Sequence, residues 1–149
     1  MITIYTLGHS TRKLEKLIDV LKIFKIEVLA DIRHFPHSRH NPQFNKEVLE
    51  NELPKQEIEY IWLEKLGGFR KGGYLEYTKT EEFKEGLEEL IKIAKNKQAA
   101  IMCAEILWFK CHRRFVSDEL MKLGFKVLHI YNKDKVQEHS LRENKIKCD

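Results

Sequence analysis

Ala99-Ala100-Ile101-Met102-Cys103-Ala104-Glu105 is the stretch on which the reading of the fold turns. From Ala99 to Ala104 it is apolar almost without interruption, and it lacks the polar alternation of a strand with one wet face. A short run of that kind suits a central parallel strand covered on both sides. The residues before it support this. Phe83, Leu87, Leu90, Ile91 and Ala94 recur at helical spacing behind Thr80-Glu81-Glu82, and two acids suit the positive end of a helix. Beyond it, a helix from about His112 to Leu123 is stopped by Gly124, and Lys126 to Tyr131 reads as the next strand.

The same rhythm continues toward the amino end. Ile2 to Leu7 is a β-branched strand that runs into Gly8-His9-Ser10. Leu14, Leu17, Ile18, Leu21 and Phe24 mark a helix, and Glu27 to Ile32 a second strand. His34 to Pro42 is a loop by composition, Asn45 to Leu53 a short helix ended by Pro54, and Ile58 to Leu63 a third strand. Phe69 to Tyr77 reads as loop. Alternating strands and helices imply an α/β fold with right-handed crossovers, a three-layer, doubly wound, Rossmann-like sheet of about five mostly parallel strands. One domain over residues 1–149 is expected, with 132–149 a charged tail, loose or a short helix.

Composition narrows the class. The chain has 149 residues, 42% hydrophobic and 34% charged, which excludes a disordered polar chain. Lys and Glu supply most of the charge, a thermophile-like bias. No apolar run is long enough for a bilayer, and Met1 to Tyr5 reads as a strand rather than a secretion signal, so a cytoplasmic location is expected. Three cysteines, Cys103, Cys111 and Cys148, argue against a disulfide framework. A net charge of +4 is mildly basic, so where the charge sits matters more than its sum.

Ligands of open parallel sheets bind outside the carboxyl ends of the strands, and the unusual residues fall there. The first strand ends in Gly8-His9-Ser10. The second ends in Asp31-Ile32-Arg33 and opens a loop with Ser38 and Arg39. The third leads to Gly67-Gly68 and Arg70, and the fourth to Cys103, Glu105, Cys111, His112 and Arg113. The opposite connections, Lys25-Ile26-Glu27 and Lys95-Asn96-Lys97, are plain charged turns. Alternate strand residues point the same way, so Cys103 and Glu105 share a side, as do Asp31 and Arg33. Glu105 is either a general base or nucleophile, or a helix-capping acid. Cys103 is either reactive or a small buried filler. A helix starting near Cys111 would lower that thiol's pKa, and Arg113 would add a forked anion donor. Neither C-x-x-C nor H-x-x-x-H spacing is present, so no metal is expected from Cys103, Cys111 and His112. Phosphate-loop and G-x-S-x-G motifs are absent too, and no cofactor is implied. Trp62, Tyr74, Tyr77 and Trp108 either line a pocket or belong to the core.

Thr6-Leu7-Gly8-His9-Ser10, Asp31-Ile32-Arg33, Pro36-His37-Ser38-Arg39, Asn41-Pro42-Gln43-Phe44, Leu66-Gly67-Gly68, Cys103-Ala104-Glu105 and Cys111-His112-Arg113-Arg114 together resemble the domain of unknown function 488 family, from about Ile4 to Ile130. The resemblance implies no settled activity. Relatives often carry a longer Arg-rich insert where this chain has Phe69 to Gly73, and a proline where it has Leu107-Trp108.

These residues point first to an enzyme, a hydrolase or transferase, acting on a nucleotide or nucleic acid. Glu105 would be base or nucleophile, Asp31 its orienting partner, and Arg33, Arg39, Arg70 and Arg113 a phosphate clamp. A thiol enzyme built on Cys111 or Cys103, a transferase or sulfur-handling protein, is the second reading. The third is a non-catalytic nucleic-acid-binding module. The expected partner is a phosphate-bearing small molecule or nucleic acid, with no membrane, and the sequence leaves the oligomeric state open.

Overall fold

The computed structural model describes residues 1–141. Its elements are β1 (Thr3–Gly8), α1 (Leu14–Ile23), β2 (Val28–Asp31), α2 (Lys46–Glu52), β3 (Glu59–Trp62), α3 (Tyr74–Tyr77), α4 (Glu81–Asn96), β4 (Ala99–Cys103), α5 (Arg113–Lys122), β5 (Lys126–Asn132) and β6 (Lys135–Glu138). They build one mixed sheet in the order β3-β2-β4-β1-β5-β6. All pairings are parallel except β5 with β6.

Residue parity assigns the helices to the two faces. Ala100 and Met102 of β4 pack with Leu17 and Leu21 of α1 and Leu49 of α2. Ala99, Ile101 and Cys103 pack with Phe83, Leu87 and Leu90 of α4 and Val116 and Leu120 of α5. All five β4 residues are buried, as expected of an apolar run covered on both sides. At the start of α4 the Phe83 N–H donates to Thr80 Oγ1, leaving Glu81 and Glu82 in the first turn.

Two segments differ from the sequence expectation. Within Phe69 to Tyr77, residues 74–77 form one helical turn, because Tyr74 and Tyr77 are buried and donate their hydroxyls to the Leu66 and Lys65 carbonyls. Part of the expected tail, Lys135–Glu138, is a sixth, antiparallel strand. Asn132 Oδ1 accepts the Asp134 N–H and folds the chain back on β5. Residues 142–149, the rest of that tail with Cys148, lie outside the described residues. Among the described residues no helix is long and apolar enough to cross a membrane.

The winding reverses between β1 and β4, where the chain leaves toward α1 from one strand and toward α5 from the other. A crevice is expected at that point. Here the strand tips stay zipped: His9 N–H donates to Cys103 O (2.8 Å) and Ser10 N–H to Ala104 O (2.9 Å). A Cβ on Gly8 would lie 1.9 Å from Glu105 O, so this closure requires glycine. The hollow opens one strand over, beyond the ends of β2 and β4.

Candidate functional site

That hollow is a crevice of about 550 Å³. Cys103, Glu105, Cys111, His112, Arg33 and Gly68 line it, all residues singled out in the sequence. Phe35 and Phe69, 73% and 90% exposed, stand at its mouth beside His34, His37 and Lys110. Phe69 has φ +54°, a left-handed conformation that is strained for a bulky side chain.

The two thiols meet inside. Cys103 Sγ, buried on the last residue of β4, lies 2.9 Å from Cys111 Sγ. Cys111 is half-buried, just ahead of α5, and its sulfur accepts from the Arg113 backbone N–H (3.3 Å) and Nε (3.4 Å). A thiolate at a helix start beside a guanidinium is favoured on both counts. The Cys111 pKa is drawn down to about 6, chiefly by the hydrogen bond from Cys103 and, against the cost of burial, by Arg113. The Cys103 thiol is pushed up by burial and by donating to Cys111.

Arg113 lies beneath the crevice rather than on its wall. It is 1% exposed, and Nη2 donates to the Glu105 and Ile106 carbonyls while Nη1 donates to Thr6 Oγ1. It forms no ion pair with a carboxylate among the described residues. A buried guanidinium stays charged, and the group placed to balance it is the Cys111 sulfur.

A buried polar chain continues from Arg113. Because Thr6 Oγ1 accepts from Arg113, its proton is directed to His129 Nδ1 (2.6 Å). His129 Nε2–H then donates to His139 Nδ1 (2.8 Å), and His139 Nε2–H to Asp118 Oδ1 (2.6 Å). Trp108 stacks on His129 at 4.6 Å. In the sequence, Thr6 stands only as part of a quoted motif with no role of its own, and His129 and His139 are given none. The available signal was an imidazole inside the apolar run Val127-Leu128-His129-Ile130.

Asp31 is fully buried on the opposite face, below the crevice. Its carboxylate accepts from the Arg33 backbone, Nε and Nη2 and from Tyr60 (2.5 Å). Arg33 Nη1 donates to His9 Nε2, and His9 stacks on Phe44. Burial holds His9 down at about 4. His112 donates Nε2–H to Ile32 O (2.5 Å), and burial also lowers it to about 4. A Cβ on Gly68 would sit 3.0 Å from His112 Nδ1, so the bare backbone there accommodates the ring.

The other predicted residues lie elsewhere. Gly67 is buried against His34 and Arg33 backbone. Ser10 opens onto a second cavity of about 740 Å³ with Arg12, Lys16 and Tyr131, which holds neither thiol nor Glu105. Ser38 Oγ accepts the His40 and Asn41 N–H groups, which makes it a loop brace, and Arg39 is exposed outside the crevice lining. Arg70 donates to the Gly67 and Glu64 carbonyls, lies 4.2 Å over Tyr77 and approaches Glu82. Trp62, Tyr74, Tyr77 and Trp108 do not line the crevice. Among the described residues no cluster of three or more His, Cys, Asp or Glu is arranged to hold a metal.

Residues 13–120 match the family model described as Domain of unknown function DUF488. The match takes in every quoted motif except Thr6 to Ser10, and is narrower than the Ile4 to Ile130 span of the resemblance. No curated protein and no solved structure matches the chain. Since the family model covers well over half of the sequence, the chain belongs to the DUF488 family.

Proposed function

We propose that the protein is a thiol-dependent enzyme, with Cys111 as its nucleophile and the crevice as its substrate site. The observation that carries this is the placement of the Cys111 sulfur, between the Cys103 thiol and a buried arginine that has no carboxylate partner among the described residues. The thiolate is the attacking form of cysteine, and a thiolate here is also the charge Arg113 needs. Lys110, His34 and His37 at the mouth favour an anionic substrate, a phosphate-bearing small molecule or nucleic acid. Glu105 lines the same crevice and its carboxylate makes no hydrogen bond or ion pair among the described residues, which keeps carboxylate catalysis as the second reading.

The test is the rate of iodoacetamide alkylation at Cys111 against pH, read by peptide mass spectrometry. The expected midpoint lies near pH 6 in the wild-type protein. Glu105→Gln should leave it in place, and Arg113→Lys should move it toward the ordinary thiol range near ~8.5. A wild-type midpoint already in that ordinary range would sink the thiol reading.

A further inference from the structure

The thiol reading leaves the second sulfur without a task, and its position supplies one. We propose that Cys103 is the resolving thiol of a dithiol pair, so that the crevice acts on a sulfur–sulfur bond and passes through a Cys103–Cys111 disulfide. This rests on the reading of Cys111 as nucleophile and extends it to the substrate class.

Three observations carry the inference. The sulfurs are 2.9 Å apart, although seven residues separate Cys103, at the end of β4, from Cys111, in the turn ahead of α5. Bond formation therefore needs a shift of under about 1 Å, given a disulfide length of ~2.0 Å. The two thiols are also unequal. Cys111 opens to the crevice and is held by the Arg113 donors, whereas Cys103 is 2% exposed and faces its partner and the Glu105 carbonyl (3.4 Å). Attack from solvent must begin at Cys111, and Cys103 can reach only what is already attached there. Finally, Arg113 stabilises the reduced pair through the Cys111 thiolate and loses that partner on oxidation. Stabilising the reduced form makes a pair oxidising toward ordinary thiols, which suits a disulfide used transiently and not as a staple.

Cys111 thiolate attacks one sulfur of R–S–S–R′, the Cys111–S–R bond forms, and R′S⁻ leaves and takes a proton from water. Cys103 then attacks Cys111 Sγ, its proton passes to the departing RS⁻, and the Cys103–Cys111 bond forms. The substrate gains two electrons and becomes two thiols, while the protein loses two electrons. An external dithiol reduces the pair for another turnover.

The experiment uses the full chain with Cys148→Ser, so that only the crevice thiols react, with oxidised glutathione as probe and dithiothreitol as reductant. Released glutathione is counted, and the protein is mapped by non-reducing mass spectrometry. Two glutathiones per chain and a Cys103–Cys111 crosslink are expected, with Cys103→Ser stopping at the Cys111 mixed disulfide after one. Cys103→Ala gives the same reading if serine disturbs the buried position. If the unsubstituted pair also stops at the mixed disulfide, or if Cys111 alkylates readily but ignores the disulfide, the inference falls and the nucleophile reading stands. If Cys111→Ser reacts like the parent, both fall.

Discussion

Asp31 and Cys111 show how one residue's surroundings separate a structural charge from a reactive one. The Asp31 carboxylate is saturated by Arg33 and Tyr60 and has no exposure. Removing its charge strands a buried guanidinium, which typically costs ~3–5 kcal/mol. Asp31→Asn is therefore expected to lower the urea midpoint sharply and to leave the alkylation midpoint of Cys111 near pH 6. A shifted midpoint with unchanged stability would mean that Asp31 acts on the thiol. The sequence placed Asp31 and Glu105 at two strand tips, Glu105 as base or nucleophile and Asp31 as its orienting partner. It held no sign that parity would turn Asp31 toward Tyr60 and Phe44 while Cys103 turned toward α5, because that depends on how far each strand runs before it bends. The cysteines were legible as candidates, since both fall at the carboxyl edge. Their contact was not, because seven intervening residues must loop out and return before the sulfurs meet.

The decisive element-scale feature is the crossing of β1's tip with the turn after β4. Gly8 lets the Glu105 and Ile106 backbone lie against the strand, and Arg113 donates to the carbonyls of both residues. Gly8→Ala would place a methyl group 1.9 Å from Glu105 O, so the turn must move and take the guanidinium with it. The expected result is a folded protein destabilised by ~1–3 kcal/mol, with Cys111 alkylation slowed at neutral pH. Unchanged alkylation would show that the turn does not govern the thiol. The sequence announced a turn at Gly8-His9-Ser10, and the elements on either side of it agree with their periodicity. The sixth strand escaped notice because Lys135-Val136-Gln137-Glu138 is short and largely exposed, and its pairing depends on the neighbouring strand more than on its own composition.

For the whole molecule, buried titrating groups on both faces of the sheet predict acid sensitivity. His9 and His112 are held at about 4 by burial, whereas unfolded imidazoles ionise near ~6.5. The unfolded chain binds the extra protons, so this stability is complete above ~6.5 and is lost as pH falls through about 4. Cys111 acts in the same direction: its contribution is complete above the free-thiol value of ~8.5 and is lost as pH falls through about 6. Urea midpoints should decline on acidification from pH ~8, and Cys111→Ser should flatten only the part above about 6. A midpoint that rose with acid would contradict the burial of these groups. The polar chain from Arg113 through Thr6, His129 and His139 carries a further consequence. Its members come from opposite ends of the sequence, and His139 follows β6. While the polypeptide is being made, both cysteines emerge from the ribosome before the imidazoles that steady their arginine. The buried chain behind Arg113 therefore closes only after both crevice thiols have been synthesised, once His129 has reached Thr6 and His139 has reached His129.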